Sequence, residues 1–452
     1  MSNIYVNRTL NLKQIKVIGF DMDYTIVRYK SAVFEEMTYN EMVHKLINLK
    51  SYPKEILDYK FDFSRVIRGL VFDKKLGNLI KLCRYGRARI AYHGTRKIEF
   101  LEMQKLYKGL VVDVKSGQYH SIDTTFFIAA GLLFSQLVDY KDKWDNENKG
   151  TFKSYFEIFD DVHDVLERSH YDGSLKGNVE KDPGKFIIQD PEIVKTLEVL
   201  KENGKTLMVV TNSDYHYTKV LFDYTLNPFL KNHKDWKDLF HYIITVAEKP
   251  RFFTDHRKFL EVDPSTGLMK NLDQPFHLEK GIYQGGNAEQ LAKFLNVDGL
   301  QILYLGDHIY GDILTLKKAC NWHTALVIEE LREEVEAYDK GKHMLDDIDE
   351  LMRQKENYEL KYFEVADDKD EIKNIKQEIK IIDDEIPKKI DAYQELFNCY
   401  WGPIMRSGQE ESRLANQIDK YSCVYMSHIS DFLKYSPRHY FRPKRRPLPH
   451  ES

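Results

Sequence analysis

The sequence predicts an α/β fold: a parallel sheet covered by helices on both faces, with a long segment inserted after the first strand. From about residue 187 onward, short apolar runs alternate with helical patterns. Another apolar run stands alone at 14–20, and residues 26–186, of mixed composition, separate it from the others. Strands that alternate with helices are typical of a parallel, Rossmann-like sheet that is buried on both faces.

The first strand is the apolar run QIKVIGF, and the first helix after the insertion is DPEIVKTLEVLKENG. Asp190 suits the N-cap of this helix, Pro191 its first turn, and Gly204 the position after its end. A second strand, KTLMVVTNSD, runs into polar residues, and a helix over about 215–224 follows it. The regular order of these elements supports the α/β prediction.

The remaining elements continue the same pattern. HYIITVAEKP is the third strand, and NAEQLAKFLNV is a helix that starts near Asn287. LQILYLGDH is the fourth strand, and HTALVI at 323–328 is the fifth. Five strands with helices between them are enough to build one central sheet.

Each of the first four strands ends on polar residues, which are Asp21 and Asp23, Thr211 and Asn212, Lys249, and Asp307. In open α/β sheets, ligands bind outside the carboxyl ends of the strands, so we expect these four segments to meet in one crevice. Two carboxylates directly after a buried strand also need a partner, because an unpaired buried charge is costly.

The composition favours a protein that works without a nucleic acid or a membrane. The chain has 452 residues, 42% of them hydrophobic, and its 67 basic residues balance 71 acidic ones. Such a balance argues against a nucleic-acid partner held by bulk charge. The longest apolar run, FFIAAGLLF at 126–134, is about half the length that spans a bilayer.

Neither the cysteines nor the N-terminal residues indicate an oxidising compartment. The four cysteines are far apart and form no CxxC pair, so we expect free thiols rather than a zinc site or a disulfide framework. The stretch MSNIYVNRTLNLKQIK lacks an apolar signal core. We therefore expect a cytoplasmic protein.

The C-terminal part has a different pattern. Isoleucines recur at 3-4-3-4 spacing, at Ile372, Ile375, Ile379, Ile382 and Ile386. This seam lasts barely two heptads and Pro387 interrupts it, so we expect an antiparallel helical hairpin over about 354–396 rather than a long coiled coil. The ending RPKRRPLPHES indicates an extended basic tail.

The series DMDYT, TNSD, a lysine and GDHIYGD resembles the haloacid-dehalogenase-like (HAD-like) phosphohydrolase superfamily. The resemblance implies that Asp21 is the nucleophile that forms an aspartyl-phosphate, and that Asp23 is the general acid and base. It also implies a Mg²⁺ ion bound by Asp21, the main-chain carbonyl of Asp23 and Asp307, with Asp312 holding metal-bound water.

The other polar strand ends have roles in the same resemblance. Thr211 and Asn212 would donate hydrogen bonds to the phosphoryl oxygens, and Lys249 would neutralise charge on the transferring group. Each motif alone is weak, since solvated acids, turns or a surface lysine explain most such matches. Their order along the chain, each after an apolar strand, favours the phosphohydrolase interpretation.

A closer resemblance is to the cytosolic purine 5′-nucleotidases, the IMP/GMP-preferring type II family. It is carried by IKVIGFDMDYTIVRYKS, RGLVFDKKLGNLIK, HYDGSLKG, VVTNSDYHYT, AEKPRFF, LYLGDHIYGDIL and LPHES. The resemblance implies a HAD-like core at 1–25 and 187–345, an inserted mixed α/β cap at 26–186, and a helical extension with the basic tail at 346–452. The implied reaction is hydrolysis of GMP and IMP to nucleoside and phosphate.

The family also implies how substrate is bound. Lys176 would meet the phosphate and Phe126 would stack on the purine, although plain core packing also explains Phe126. His170 and Tyr171 would line the pocket. His163 and Glu167 stand where the family has an arginine and an aspartate that read the purine edge, so the base preference is left open.

Two further expectations rest on the same family. Asp123, Tyr310 and Lys318 would belong to an activating purine-nucleotide site, but the family has asparagine and phenylalanine at the first two positions. A homo-oligomer, dimer or tetramer, is also implied. Two alternatives stay open: a nucleoside phosphotransferase that uses the same intermediate, and a non-catalytic nucleotide-binding protein, which the four retained essential residues disfavour.

Overall fold

The computed structural model describes residues 4–147, 150, 152–272, 278–365 and 369–451. Its strands are β1 (Ile4–Val6), β2 (Leu10–Asn11), β3 (Val17–Phe20), β4 (Arg28–Tyr29), β5 (Leu70–Asp73), β6 (Asn78–Leu82), β7 (Ala88–His93), β8 (Arg96–Lys97), β9 (Tyr119–Ser121), β10 (Ile187–Ile188), β11 (Thr206–Val210), β12 (Tyr242–Thr245), β13 (Phe259–Val262), β14 (Met269–Asn271), β15 (Gly281–Gly285), β16 (Ile302–Gly306), β17 (His323–Val327), β18 (Arg406–Ser407), β19 (Glu410–Glu411), β20 (Val424–Met426) and β21 (Tyr440–Phe441).

The α-helices are α1 (Ser31–Lys50), α2 (Phe100–Tyr107), α3 (Ile128–Asn146), α4 (Tyr155–Tyr171), α5 (Ser174–Lys181), α6 (Pro183–Phe186), α7 (Pro191–Glu202), α8 (Tyr215–Thr225), α9 (Trp236–Leu239), α10 (Arg251–Thr254), α11 (Ala288–Leu295), α12 (Thr315–Ala319), α13 (Leu331–Glu364), α14 (Lys369–Gln394) and α15 (Arg413–Tyr421). Short 3₁₀ turns and one π-helical turn, Ile309–Leu314, connect several of them. Within the described residues, no helix is long and apolar enough to cross a membrane.

The central feature is a ten-stranded sheet of order β1-β20-β17-β16-β3-β11-β12-β15-β13-β14. Seven strands from β20 to β15 run parallel, and β1, β13 and β14 add antiparallel pairs at the two edges. The first predicted strand, β3, lies between β16 and β11, and all four of its residues are buried. The α/β prediction is confirmed.

All five predicted strands are observed, together with sheet strands that the sequence did not reveal. Asp190 is the N-cap predicted for its helix and accepts from the N–H of Glu192. The helix predicted to start near Asn287 begins at Ala288, with Asn287 as its N-cap. The missed strand β15 has the sequence GIYQG, in which glycines stand at both ends. The missed strand β20 has only three residues, too few to show a pattern.

A second sheet, of order β8-β7-β6-β5-β9, is antiparallel throughout. One of its faces packs with α1, α3 and α4 in a separate hydrophobic core. The chain leaves the main sheet through β4 and returns through β10, and these two strands pair with each other. This ribbon supports our proposal that 26–186 form the inserted cap.

The C-terminal hairpin consists of α13 and α14 and begins at Leu331, well before the predicted start near 354. Pro387 lies inside α14 without ending it, contrary to our expectation of an interruption. A proline removes one backbone hydrogen bond, and packing of the isoleucine seam, with Ile375 and Ile382 buried, offsets that loss.

Residues 397–412 form a strap that runs from the hairpin across the second sheet. Trp401 is 1% exposed and donates through Nε1 to the carbonyl of Arg65. Lys81 donates to the carbonyls of Trp401 and Pro403, both at 2.6 Å. The strap therefore ties the inserted region to the C-terminal part, which then returns to the main sheet as β20.

Candidate active site

Three carboxylates meet at the carboxyl end of the main sheet. Asp21 follows β3, Asp307 follows β16, and Asp312 lies on the π-helical turn after it. One oxygen of each lies within 4.8 Å of the others, and the residues are 8%, 5% and 1% exposed. Parallel neighbouring strands bring Asp21 and Asp307 together, as the sequence predicted.

Asp312 reaches this cluster because the turn that carries it packs directly on the end of β16. A Cβ at Gly306 would lie 2.5 Å from Cγ of Asp312, so only glycine leaves room there. The N–H of His308 donates to Oδ2 of Asp312 at 3.2 Å. The wide turn and the glycine thus fix the third carboxylate.

Lys249 supplies the positive charge of the site. Its Nζ lies 2.6 Å from Oδ1 of Asp21 and 2.8 Å from Oδ1 of Asp312, and it donates to the Tyr304 hydroxyl at 3.1 Å. The lysine side chain is only 4% exposed. Burial acts to lower the pKa of Lys249, but the carboxylates of Asp21 and Asp312 raise it well above its ordinary value.

The loop of Lys249 is held by Asn212. The N–H of Lys249 donates to Oδ1 of Asn212 at 2.6 Å, and Nδ2 of Asn212 donates to the carbonyl of Lys249 at 3.1 Å. The sequence predicts that Asn212 donates to the phosphate, and this stays a prediction. In the structure its side-chain amide holds the main chain of Lys249.

The cluster carries more negative than positive charge. Burial, followed by the nearby carboxylate of Asp312, raises the pKa of Asp307 to about 7. Burial also raises the pKa of Asp21, with Lys249 opposing the shift. Three carboxylates face a single ammonium group, so one positive charge is too few to balance them. Several carboxylate oxygens close together are the ligands that a divalent ion such as Mg²⁺ prefers.

The carboxylate of Asp23 is not part of this cluster and has hydrogen-bond partners of its own. Oδ1 accepts from the Tyr29 hydroxyl at 2.7 Å and Oδ2 from the Ser213 hydroxyl at 3.0 Å. Burial raises its pKa above the ordinary value, although these two hydrogen bonds act in the opposite direction. A raised pKa favours a carboxyl group that can hold and donate a proton.

Thr211 is fully buried at the end of β11. Its Oγ1 accepts from the N–H of Ser213 at 3.0 Å. That contact occupies an acceptor position of the hydroxyl and leaves its proton to be donated. The side chain is therefore suited to donate to a phosphoryl oxygen.

Lys176, on α5, makes an ion pair with Asp214, the N-cap of α8, at 2.6 Å. Its charge also acts to lower the pKa of both Asp23 and His170, so it lies near these two groups. Lys176 therefore lies near Asp23, the predicted general acid and base.

Phe126 lies among aromatic rings from the inserted region and from the segment just before it. Its ring centroid is 4.8 Å from that of Tyr24, 5.6 Å from Phe34 and 5.4 Å from His170, all edge-on. Burial lowers the pKa of His170 to about 4, so this histidine is neutral near pH 7. The contacts agree with core packing; stacking on a purine stays a prediction.

His163, Glu167 and His170 share one face of α4, since they are spaced by four and three residues. The ring of His163 stacks on Phe159 at 5.8 Å. Glu167 is partly buried, and its side chain has no hydrogen bond to any described residue. Tyr171 is 84% exposed, which does not support its predicted place in a pocket wall.

Each of the three predicted effector residues, or the turn that carries it, lies against α15. Asp123 accepts from the Ser121 hydroxyl and lies 3.8 Å from Nη1 of Arg413. Tyr310 is 51% exposed on the π-helical turn. Lys318 lies over the ring of Tyr421 at 5.8 Å.

Sequence reasoning missed two residues that contact Asp307. Nη1 of Arg68 donates to the main-chain carbonyl of Asp307 at 3.2 Å, and the Thr124 hydroxyl reaches its Oδ2 at 3.5 Å. Arg68 also pairs with Glu330, just beyond the fifth strand. That strand, like the first four, ends on polar residues, Glu329 and Glu330, and this signal was available in the sequence.

Comparisons with known proteins indicate the family of the chain. A family model described as the 5′ nucleotidase family matches residues 4–452. Among curated proteins, 5′-nucleotidase domain-containing protein 2 of Rattus norvegicus is 29% identical over 470 residues, which cover 99% of this chain and 80% of that protein.

Solved structures resemble the chain only distantly. One is a predicted phosphoglycolate phosphatase from Haemophilus somnus 129PT, with a TM-score of 0.29 and 15% identity over 70% of this chain and 85% of that one. Another is an archaeal β-phosphoglucomutase from Pyrococcus sp. strain ST 04, with a TM-score of 0.30 and 10% identity over 69% and 86% of the two chains.

Proposed function

The chain belongs to the 5′ nucleotidase family, a family of phosphoric monoester hydrolases, and we propose that it hydrolyses purine nucleoside 5′-monophosphates, GMP and IMP, to nucleoside and phosphate. The observation that supports this proposal most is the buried cluster of Asp21, Asp307 and Asp312 around the ammonium group of Lys249. Such a cluster fits the binding of a phosphate group together with a divalent cation.

Asp21 is the proposed nucleophile. The carboxylate of Asp21 has two described hydrogen-bonding contacts, from the N–H of Met22 at 2.7 Å and from Nζ of Lys249, and both are to Oδ1. Oδ2 can then attack phosphorus in line: an O–P bond forms, the bond to the nucleoside 5′-oxygen breaks, and an aspartyl-phosphate results. The two contacts on Oδ1 limit the rotation of the carboxylate and leave Oδ2 without a described hydrogen bond.

Asp23 is the proposed acid and base. In the first step its proton goes to the leaving nucleoside oxygen, and in the second it takes a proton from the water that attacks phosphorus. Tyr29 and Ser213 orient its carboxyl group. The raised pKa supports a protonated form in the first step.

Charge on the transferring phosphoryl group is balanced by Lys249 and by a donor from Thr211. A Mg²⁺ ion held by Asp21, Asp307 and the main-chain carbonyl of Asp23 would supply further positive charge, with Asp312 beside it. The excess of negative charge in the cluster supports this assignment. Lys176 is proposed to meet the substrate phosphate by exchanging its ion pair with Asp214.

Base recognition is assigned to the α4 face. GMP presents an N1–H and a 2-amino group, IMP only the N1–H, and AMP neither. The carboxylate of Glu167, which has no hydrogen bond to a described residue, is an acceptor suited to those donors. The ring of His163 packs on Phe159 rather than extending as an arginine would, so we expect its contact with the 6-oxo group of the purine to be weak. Recognition then depends more on the 2-amino group, and we expect GMP to be preferred.

The test is phosphate release from a panel of nucleoside monophosphates, with and without Mg²⁺. We expect GMP and IMP well above AMP and the pyrimidine nucleotides, and no release in EDTA. Equal rates of phosphate release from AMP and GMP would contradict the proposed base recognition. Release of less phosphate when a nucleoside is added, with formation of a new nucleotide, would favour the phosphotransferase alternative.

A nucleotide effector site is a second proposal, at Asp123, Tyr310 and Lys318. Asp123 and α15 carry three buried polar atoms without a hydrogen-bond partner among the described residues: Oδ1 of Asp123, Nη1 of Arg413 and Oε1 of Gln417. Because Asp123 would repel a phosphate, we expect ATP to activate Asp123→Asn more than the wild type. No effect of ATP on either protein would remove this site.

The remaining expectations rest on the family alone. We propose that the chain acts in the cytoplasm as a dimer or tetramer, without a nucleic-acid partner. Light scattering of the purified protein tests the oligomeric state, and a monomer at micromolar concentration would contradict it.

A further inference from the structure

Arg68 comes from the inserted region, yet its guanidinium group lies at the carboxyl end of the main sheet. The residue is 5% exposed. Gly69, next to it, has φ of +89°, and a Cβ there would lie 2.9 Å from Cβ of Leu414. The N–H of Gly69 donates to the carbonyl of Ile122 at 2.8 Å. The main chain that carries Arg68 is therefore closely fixed.

All three guanidinium nitrogens have acceptors. Nε donates to Oε1 of Glu330 at 2.8 Å and Nη2 to Oε2 of Glu330 at 2.5 Å. Nη1 donates to the main-chain carbonyl of Asp307 at 3.2 Å. A planar fork can serve three acceptors in fixed directions, whereas the single nitrogen of a lysine cannot reproduce that arrangement.

We propose that Arg68, anchored by Glu330, is a positioning residue that holds Asp307 in the geometry needed to bind a divalent cation. The carbonyl it holds belongs to the same residue whose carboxylate enters the cluster, so fixing one limits the movement of the other. Thr124 adds a contact to that carboxylate from the same inserted region. The inference rests on the proposed function, in which Asp307 is a metal ligand.

A plain tether between the inserted region and the main sheet is the competing explanation. The chain offers a matched control in Arg28, which pairs with Asp190 at 3.0 Å and with Glu329 at 3.3 Å. It joins the same two parts of the structure, and none of its described contacts is with Asp307. If Arg68 were only a tether, replacing Arg68 or Arg28 would change Mg²⁺ affinity by similar amounts.

Charge has to be controlled as well. Removing Arg68 alone leaves Glu330 uncompensated, and the added negative potential would itself attract a cation. The double variant Arg68→Met with Glu330→Gln removes a pair without net charge, so the net charge around the site stays the same when Mg²⁺ affinities are compared. Arg28→Met with Glu329→Gln is the equivalent control.

The experiment is calorimetric titration of Mg²⁺ alone into the full-length proteins, paired with phosphate release from GMP. Groups that hold metal ligands typically change metal affinity about 10–100-fold when removed, so we expect at least a tenfold weaker Mg²⁺ affinity in the Arg68 double variant. The Arg28 double variant should stay within about twofold of the wild type. Arg68→Lys, which keeps the charge, should lie between these values and covers the case in which the double variant does not fold.

Equal affinities in the Arg68 and Arg28 double variants would overturn the proposal. A wild type that binds no Mg²⁺ would overturn it together with the metal site. A wild type that binds Mg²⁺ but hydrolyses no nucleotide would overturn the proposed function, while the affinity ratio would still decide about Arg68.

Discussion

Replacing Lys249 by methionine removes the only ammonium group described within ion-pair distance of the carboxylate cluster. The lysine side chain is 4% exposed, and its partners Asp21 and Asp312 are 12% and 1% exposed, so this is a buried ion pair. Removing one partner from a buried pair typically costs about 3–5 kcal/mol, because the remaining charge is left uncompensated. We expect the free energy of unfolding without Mg²⁺ to fall by that amount, and hydrolysis to be lost.

Urea unfolding of both proteins in EDTA, followed by tryptophan fluorescence, gives this difference. Lys176→Met is a matched control, since Lys176 pairs with Asp214 at 29% and 44% exposure and such pairs are worth about 0–1 kcal/mol. If Lys249→Met and Lys176→Met lower the free energy of unfolding equally, Lys249 does not balance the cluster and the charge argument for the site fails.

Three further predictions concern other residues. Asp21→Asn keeps an acceptor for Lys249, so it should fold normally yet lose several orders of magnitude in kcat; a rate above a few per cent of wild type would exclude the covalent mechanism. Glu167→Gln should lower kcat/KM for GMP by about tenfold and narrow its lead over AMP, and an unchanged ratio would show that Glu167 does not read the base. Burial lowers the pKa of Lys81 to about 7, so the unfolded chain binds its proton more tightly and stability should rise with pH above about 7. This rise, up to about 1.4 kcal/mol per pH unit, should be absent in Lys81→Met when unfolding is compared at pH 7 and 9.

The part of the site that sequence could predict is the part that the sheet assembles. Asp21, Thr211, Lys249 and Asp307 follow four buried strands, and the carboxyl ends of parallel strands meet at one edge. The positions of these residues therefore follow from local patterns plus one rule of sheet architecture.

Contacts between distant segments carry no such local signal. Arg68 and Asp307 are 239 residues apart, and Lys81 and Trp401 are 320 apart. Neither pair shows in a periodic pattern, because each depends on how the inserted region and the strap pack. Asn212 shows the same limit: its motif predicted a phosphate ligand, which stays a prediction, but gave no sign that its amide also holds the loop of Lys249.

The helical hairpin illustrates a different limit. The isoleucine seam marked α14, but α13 shows its apolar positions only weakly, and Leu331, Ala337, Gly341 and Ile348 are its buried residues. A helix that buries so little, including a glycine, gives no clear apolar stripe over its first half. The sequence pattern therefore places the start of the hairpin later than Leu331, where the structure has it.

Trapping the phosphorylated enzyme tests the central claim, that Asp21 is the nucleophile of a 5′-nucleotidase. In Asp23→Asn the attack by Asp21 remains possible, but water activation is lost, so the intermediate should accumulate with GMP and Mg²⁺. Acid quenching and peptide mass spectrometry should then find one phosphoryl group on the peptide that contains Asp21, and none in Asp21→Asn. A phosphoryl group on another residue, or equal labelling of both variants, would contradict the account.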